Sequence, residues 1–270
     1  MELREDLNSY SDIWEITTHD IDINNNIRPT SVARMMEEIG TRQMRDRKPT
    51  YYEFFFQGKT FIITRMNIEM LDKINVYDKV RVHTWLCQSK AATLRRCFLI
   101  EKDGYVLARS YSEWTVANLN TGKLCMAKDL ELGNYEEDEV LDMNIPAKFR
   151  LPKNLDYREM ERKKILYSDV DMNLHMNNTN YQNMVWQLIP DIENKEITSS
   201  SFRFKSEGTY KSEIAIYGAK SPEPMDDGLG AEETWYFYTQ ILTGEKAGRK
   251  NIECYMNVKT VEEGKKFKGE

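Results

Sequence analysis

The sequence has few residues of the kinds that build disulfide or metal frameworks. Its 270 residues include four cysteines, which are widely spaced and form no CxxC pair. This spacing argues against a zinc ribbon, a redox dithiol and a secreted disulfide framework, and it predicts buried thiols. Only three histidines occur, and His175 has no second histidine or cysteine at the spacing of metal ligands. We therefore expect no metal site.

Long apolar runs are absent, and positive charge is not in excess. No apolar stretch approaches the roughly 20 residues that a membrane-spanning helix needs. The first residues, MELREDLNSY, are polar and acidic, unlike a signal or transit peptide. The formal net charge of -6 disfavours nonspecific binding to nucleic acid. These features predict a cytoplasmic protein that spans no membrane and binds no nucleic acid.

Positive charge is nevertheless concentrated in two short segments. Solvated charge is the commoner explanation of such runs, and docking of an acidic partner is the alternative. The basic residues are Arg42, Arg45, Arg47 and Lys48 in the first cluster, and Arg158, Arg162, Lys163 and Lys164 in the second.

The most informative feature is a segment that occurs twice. Residues 20–29 read DIDINNNIRP, and residues 169–178 read DVDMNLHMNN. The shift that superposes them aligns Asp20 with Asp169, Asp22 with Asp171, Asn24 with Asn173, Asn26 with His175 and Thr30 with Thr179. A chain of this length holds one large domain or two ordinary ones, and the repeat favours two domains of similar size.

An apolar helix face follows each copy at the same shift. Apolar residues spaced i, i+3, i+4 and i+7 predict an amphipathic helix in each half. These residues are Val32, Met35, Met36 and Ile39 in the first half, and Tyr181, Met184, Val185 and Leu188 in the second. We expect the N-caps at Thr30 or Ser31 and at Asn178 or Thr179.

Alternating residues downstream of each helix predict an antiparallel sheet in each half. The predicted strands span residues 60–70, 78–87, 200–206 and 212–220. The first predicted hairpin spans residues 93–119 and turns at Asp103-Gly104. The second spans residues 233–259 and turns between Thr243 and Gly248. A single helix with several strands buries its apolar face most simply if the sheet curls around it. The composition between the halves predicts an N-terminal domain over 1–130, a linker over 131–160 and a C-terminal domain over 161–270.

The D-x-D-x-N pattern resembles a calcium-binding loop, but it lacks two required residues. An EF-hand loop has glycine at its sixth position and glutamate at its twelfth. Leu174 and Asn180 occupy these positions in the second copy, and Asn25 and Ser31 occupy them in the first. The pattern therefore does not predict a calcium site.

The two copies differ at positions that decide whether acid–base chemistry is possible. His175 stands where the first copy has Asn26, and an alignment of the strands that follow places Glu207 opposite Lys73. Histidine titrates near neutral pH, whereas asparagine does not. Only the second copy is therefore equipped for general acid or base work. The alternative is that its polar residues cap the second helix and satisfy buried backbone groups.

Three stretches resemble the acyl-acyl carrier protein (acyl-ACP) thioesterases of bacteria and plant plastids. DVDMNLHMNNTNYQNMVW is similar to that family's D-x-D-x-N-x-H-x-N-N segment and the helix after it, residues 61–100 are similar to its first-half strands, and SFRFKSEGTYKSEI is similar to its catalytic strand. The resemblance runs from about residue 10 to 255. It implies an α+β tandem hotdog fold, with two helices each wrapped by an antiparallel sheet, and no cofactor. By position, it implies an active site of Asp171, Asn173, His175 and Glu207.

The resemblance also implies an enzyme that hydrolyses fatty acyl-ACP to free fatty acid and carrier protein, ending fatty acid synthesis. Many plant members have a cysteine directly after the catalytic glutamate, whereas this sequence has Gly208, so the mechanism cannot require a nucleophile at that position. We therefore expect water to be activated by Glu207 and His175. We expect backbone N–H groups around Asn177 and Asn178 to stabilise the oxyanion.

Several assignments stay open at the level of sequence. The methionines of the first half suit an adaptable pocket for the acyl chain, and ordinary core packing explains each of them equally well. They are Met35, Met36, Met44, Met66 and Met70. Hydrolysis of acyl-CoA and noncatalytic binding of acyl thioesters are the alternative functions. A homodimer is compatible with the resemblance.

Overall fold

A computed structural model describes residues 1–261 of the chain, which form two compact units. The first unit contains residues 1–21 and 32–143, and the second contains residues 22–31 and the chain from Asn144 onward. Residues 262–270, the end of the predicted C-terminal domain, lie outside the described residues.

The first unit combines one long helix with an antiparallel sheet. Its elements are β1 (Tyr10–Glu15), α1 (Pro29–Arg47), α2 (Tyr51–Phe56), β2 (Lys59–Met70), β3 (Lys79–Lys90), β4 (Thr93–Lys102) and β5 (Tyr105–Asn118). The strands follow the order β1-β3-β4-β5-β2. Asp103 and Gly104 both have positive φ, 53° and 82°, as a two-residue hairpin turn between twisted strands requires. The predicted strands and turn of this half are therefore confirmed.

The second unit repeats the same topology. Its elements are β6 (Arg158–Lys164), α3 (Asn180–Trp186), β7 (Lys195–Phe204), β8 (Glu213–Lys220), β9 (Glu233–Ile241) and β10 (Lys250–Thr260). The strands follow the order β6-β8-β9-β10-β7, which matches the first unit strand for strand. The buried face of α3, including Tyr181 and Val185, packs against sheet residues such as Phe202, Ile214 and Phe237. The second unit is thus one α-helix packed on an antiparallel sheet.

Two strands that the sequence pattern did not predict lie at the ends of these strand orders. β1 pairs with β3, and β6 pairs with β8. β6 has the sequence REMERKK and contains part of the segment predicted as linker. An edge strand commonly carries charged residues, which discourage pairing with other chains, so it lacks the apolar alternation that identifies a strand. β6 therefore begins within the last three residues of the predicted linker.

The two helices share their register but differ in length. α1 has 19 residues and begins at Pro29, before both predicted N-caps, because proline suits the first helical position. α3 has seven residues and ends before Leu188. Its last turn tightens, with the Leu188 N–H donating to the Val185 carbonyl at 3.1 Å. Pro190 follows, and the residue before a proline is disfavoured in helical conformation.

Further differences concern β7, α2 and the cysteines. β7 begins at Lys195, earlier than predicted, and ends at Phe204, so Glu207 lies in the loop after this strand and not within it. α2 was not predicted, although Thr50 and Glu53 form a capping box at its start. Three of the four cysteines are buried free thiols, as predicted, and Cys125 is half-buried. Among residues 1–261, no helix is both long enough and apolar enough to span a bilayer.

Candidate active site

The loop before α3 is closed by hydrogen bonds around Asp171. The Asp171 N–H donates to the His175 carbonyl at 2.9 Å, and the Leu174 N–H donates to the Asp171 carbonyl at 3.0 Å. The Asp171 carboxylate accepts the Asn173 N–H at 2.8 Å. Such local bonds from an aspartate side chain stabilise tight turns. Asp171 therefore organises the backbone that carries Asn173 and His175.

The first copy of this loop, which belongs to the same unit, has the same backbone pattern. The Asp22 N–H donates to the Asn26 carbonyl at 2.8 Å, and the Asp22 carboxylate accepts the Asn24 N–H at 2.8 Å. Asn25 has φ 57° and its equivalent Leu174 has φ 60°. Residues other than glycine seldom adopt this conformation. The repeat read from the sequence is therefore a repeat of backbone geometry.

The copies use their side chains differently. The Asn24 amide is buried and donates to the Glu193 carbonyl at 2.6 Å, which is a structural contact. The equivalent Asn173 and His175 are both half-buried, with part of each residue accessible to solvent. A reacting group must be reachable by substrate, so the second copy has the exposure that chemistry requires.

His175 lies beside the segment that carries Glu207. It forms an antiparallel bridge with Thr209, with the Met176 N–H donating to the Gly208 carbonyl at 2.8 Å. The charge of His175 also acts on the Glu207 carboxylate. The structure thus brings together the two titrating residues that distinguish the second copy.

Burial and two neighbouring side chains shift the pKa of Glu207. Burial raises the pKa of its carboxyl, but the hydrogen bond and charge of Lys246, together with the charge of His175, outweigh this and lower the pKa. The ammonium of Lys246 donates directly to Oε2 of Glu207. Glu207 is therefore ionised at neutral pH, which is the form that a general base needs.

Asn251 on β10 holds the backbone just before Glu207. Its side-chain amide donates to the Ser206 carbonyl and to the Tyr181 hydroxyl, the latter at 2.9 Å. Its own carbonyl accepts the Lys205 N–H at 2.9 Å. Asn251 and Tyr181 are almost completely buried, and burial raises the pKa of Tyr181 to about 12. Strand β10 and helix α3 thus fix the position of the loop that presents Glu207.

Gly208 leaves no space for a side chain. A Cβ atom on this residue would lie 2.6 Å from Cδ1 of Ile165 and 2.8 Å from the hydroxyl oxygen of Tyr181. Both neighbours are buried. The packing around residue 208 therefore leaves no space for a cysteine after Glu207.

The N-terminus of α3 offers less for an oxyanion than the sequence suggested. The Asn177 N–H donates to the Asp169 carbonyl at 2.9 Å, and the Asn177 side chain accepts the Thr179 N–H at 2.9 Å. Thr179 occupies the predicted N-cap position, but its side chain makes no capping bond. The expected oxyanion role therefore rests on the Asn178 N–H, because that of Asn177 is already bonded.

Two family models match the chain and together cover most of it. The acyl-ACP thioesterase N-terminal domain matches residues 7–132, and the acyl-ACP thioesterase C-terminal domain matches residues 153–258. The chain belongs to the acyl-ACP thioesterase family.

Plant relatives agree with this assignment. The chain is 26% identical over 193 residues to a chloroplastic acyl-[acyl-carrier-protein] hydrolase of Cuphea viscosissima, covering 67% of this chain and 45% of the relative. It is 26% identical over 206 residues to the chloroplastic oleoyl-acyl carrier protein thioesterase 2 of Arabidopsis thaliana, covering 70% and 56%. The matches thus span about half the length of these plant relatives.

Solved structures establish the fold of this acyl-ACP thioesterase family member. An acyl-ACP thioesterase from Bacteroides thetaiotaomicron matches with a TM-score of 0.74 at 18% identity, covering 93% of this chain and 98% of that one. The 12:0-ACP thioesterase from Umbellularia californica matches with a TM-score of 0.74 at 18% identity, covering 94% of each chain. The predicted α+β tandem hotdog fold is confirmed.

The basic clusters of this family member are largely neutralised by neighbouring acids. The ion pairs are Arg42 with Asp12, Arg45 with Asp46, Arg47 with Glu136, Lys48 with Glu53, Arg158 with Asp156, Arg162 with Glu159 and Lys163 with Asp169. Paired charges project little net field into solvent. The docking interpretation of these clusters therefore loses most of its support.

An open cavity of about 570 Å³ lies near the candidate site but is not lined by its titrating residues. It is lined by Lys164, Ile165, Leu166, Tyr167, Ser168, Tyr210 and Lys211. Neither His175 nor Glu207 contributes to its wall. Within residues 1–261, no cluster of three or more metal-ligating side chains occurs.

Sequence reasoning missed two residues of the site, Lys246 and Asn251. Lys246 is 39 residues from Glu207 in sequence, and Asn251 is 45 residues from Ser206. Lysine in a hairpin loop and asparagine at the start of a strand are both common, so neither carries a motif. Only the pairing of β9 with β10 and of β10 with β7 brings them to the loop after β7.

Proposed function

We propose that the chain hydrolyses the thioester of fatty acyl-ACP, releasing free fatty acid and carrier protein. The observation that carries the proposal is the juxtaposition of His175 with an ionised Glu207 in the second copy alone. The plant relatives named as acyl-[acyl-carrier-protein] hydrolase and oleoyl-acyl carrier protein thioesterase supply the substrate class.

In the proposed reaction, water is the nucleophile. Glu207, helped by His175, orients a water molecule and accepts its proton while the water oxygen attacks the thioester carbonyl carbon. The carbon–sulfur bond then breaks, and the departing thiolate of the carrier takes up the proton that Glu207 accepted, which returns Glu207 to its ionised form. Gly208 supplies no thiol, and its packing leaves no space for one, which argues against an acyl-enzyme intermediate on residue 208.

The remaining site residues have supporting roles in this proposal. Asn173 holds the water or the carbonyl oxygen through its amide, and Asp171 fixes the loop on which Asn173 and His175 stand. The Asn178 N–H stabilises the negative charge that develops on the carbonyl oxygen, which is where acyl transfer gains most from a fixed donor.

We assign the acyl chain to the N-terminal domain over residues 1–130 and the chemistry to the C-terminal domain over 161–270, joined by a linker over 131–160. Four of the five methionines proposed for the acyl pocket are buried in the first unit. Methionine adapts its shape to irregular apolar ligands, which suits a chain pocket. These four are Met35, Met36, Met44 and Met66.

The test is the hydrolysis rate of the full chain on a panel of acyl chains, each presented on acyl carrier protein and on CoA. We expect free fatty acid to be released mainly from the carrier protein. Glu207→Gln and His175→Ala should each reduce kcat/KM by roughly 10²- to 10⁴-fold, the contribution of a well-placed base. The exposed Glu223 serves as a control, because Glu223→Gln removes the same charge away from the site.

Other outcomes distinguish the competing functions. Faster turnover of acyl-CoA than of acyl-ACP would make the chain an acyl-CoA thioesterase. Tight binding of acyl-ACP without turnover would make it a binding protein. Near wild-type turnover by Glu207→Gln would eliminate the proposed base.

A further inference from the structure

Lys246 contacts Glu207 from an element that the proposed mechanism does not use. It lies in the loop between β9 and β10, and its ammonium donates a hydrogen bond to Oε2 of Glu207. About a third of each side chain is exposed, 31% for Lys246 and 36% for Glu207. A surface ion pair of this kind contributes little to stability, so its position beside the candidate base calls for a different explanation.

The loop that carries Lys246 is internally bonded. The Arg249 N–H donates to the Lys246 carbonyl at 3.1 Å, closing the turn around the lysine. At its start, the Leu242 N–H donates to the Glu213 carbonyl at 2.7 Å, which ties the loop to the first residue of β8. The lysine is therefore presented to Glu207 by a backbone that is fixed on both sides.

The geometry divides the two carboxylate oxygens of Glu207 between two tasks. Lys246 occupies Oε2, and a carboxylate has acceptor capacity on both oxygens. The carboxylate also accepts the Glu207 backbone N–H, and with about four lone-pair sites it can still accept a water molecule. A carboxylate held at one oxygen has fewer orientations available, and positioning of a reacting group contributes strongly to rate.

We propose that Lys246 is a positioning residue for the hydrolysis, which holds Oε2 of Glu207 so that Oε1 faces the attacking water. This inference rests on the proposed function, because it assigns Glu207 as the base. It gives the hairpin between β9 and β10 a task in the reaction in addition to joining two strands.

The charge of Lys246 is one of the influences on the pKa of Glu207. The titrating groups that face Glu207 are Lys246 from the hairpin loop, His175 from the loop before α3 and Tyr181 from α3. Burial raises the pKa of Glu207, and Lys246 and His175 together lower it. Loss of the lysine removes the largest lowering influence, so the base stays protonated to a higher pH.

The experiment compares Lys246→Met, Lys246→Arg and Arg249→Met in the full chain with acyl-ACP as substrate. We expect Lys246→Met to lower kcat roughly tenfold, a part of the full contribution of the base, with little change in KM. The acid limb of the kcat/KM profile should move to higher pH. Lys246→Arg should have the kcat of the wild-type protein and the acid limb of its kcat/KM profile at the wild-type pH. Arg249→Met, which removes the same charge from the same loop, should behave as wild type.

A double variant separates this inference from the proposed function. If Lys246 acts through Glu207, adding Lys246→Met to Glu207→Gln should cause no further loss of rate. Additive losses, or an unchanged acid limb in Lys246→Met, would overturn the role of Lys246 while leaving Glu207 as the base. High activity of Glu207→Gln alone would instead overturn the proposed function.

Discussion

Substitution of Gly208 by cysteine tests whether this chain can accommodate a thiol directly after Glu207. The new Cβ would lie 2.6 Å from Cδ1 of Ile165 and 2.8 Å from the hydroxyl oxygen of Tyr181. Favourable contacts between carbon atoms lie at about 3.5 to 4.0 Å. Ile165 and Tyr181 are 0% and 2% exposed, so neither can move into solvent.

The cost of Gly208→Cys follows from these two contacts. Overpacking of a core costs roughly 1 to 3 kcal/mol, and displacement of Tyr181 from its hydrogen bond with Asn251 costs about 1 kcal/mol more. We therefore expect a free energy of unfolding lower by roughly 2 to 4 kcal/mol. This corresponds to a Tm lower by roughly 5 to 15 °C. The thiol would face Ile165 and Tyr181, so turnover should not become dependent on it.

Thermal unfolding followed by circular dichroism measures the loss, and acyl-ACP hydrolysis with and without iodoacetamide measures any thiol dependence. Ile165→Val is the matched partner, because it removes the Cδ1 atom that the new Cβ meets. Ile165→Val alone should lower the free energy of unfolding by roughly 0.5 to 1.5 kcal/mol. In the Gly208→Cys protein, the same substitution should restore part of the lost stability. A Gly208→Cys protein with wild-type Tm and faster, iodoacetamide-sensitive turnover would refute this reasoning.

Two further predictions concern buried or partly buried polar groups. Burial raises the pKa of Glu233, but hydrogen bonds from Lys220 and Lys195 outweigh it and lower the pKa to about 2. Glu233→Gln should therefore lower the free energy of unfolding, measured with urea, by roughly 2 to 3 kcal/mol at pH 7. This loss relative to wild type should become smaller as the pH falls from about 4.5 towards 2, because Glu233 is then protonated. A loss that stays constant down to pH 3 would contradict the prediction. Asn251→Ala removes the donor that bonds to the Tyr181 hydroxyl and to the Ser206 carbonyl. We expect the free energy of unfolding in the same assay to fall by roughly 2 to 4 kcal/mol. A loss below about 1 kcal/mol would show that water replaces the amide.

The sequence predicted the helices and strands wherever burial of one face makes apolar residues recur at a regular spacing. The strands in the middle of each sheet alternate apolar and polar residues, and the Asp103-Gly104 turn has the residues that positive φ favours. The edge strands β1 and β6 escaped prediction because their sequences, YSDIWE and REMERKK, lack the apolar alternation that identifies a strand. The shorter length of α3 was missed for a different reason. Its apolar spacing continues to Leu188, but Pro190 and the tightened last turn end the helix first.

The candidate site could be predicted only in the part that lies within one segment. Asp171, Asn173 and His175 stand in a single loop, so one motif identified all three. Glu207 was found because the strands after each helix could be aligned, and that alignment also pairs Lys79 with Glu213, the first residues of β3 and β8. Lys246 had no such signal, because its contact with Glu207 depends on pairing between strands distant in the sequence.

The internal repeat separates residues that the backbone requires from residues that chemistry requires. Asp22 and Asp171 are identical, and both carboxylates close the same turn through the N–H two residues later. Asn26 and His175 differ, although both accept the same backbone bond through their carbonyls. The backbone therefore places no demand on the side chain at this position. A histidine there has to be explained by what its ring does, and its neighbour Glu207 is the reason why we propose proton transfer.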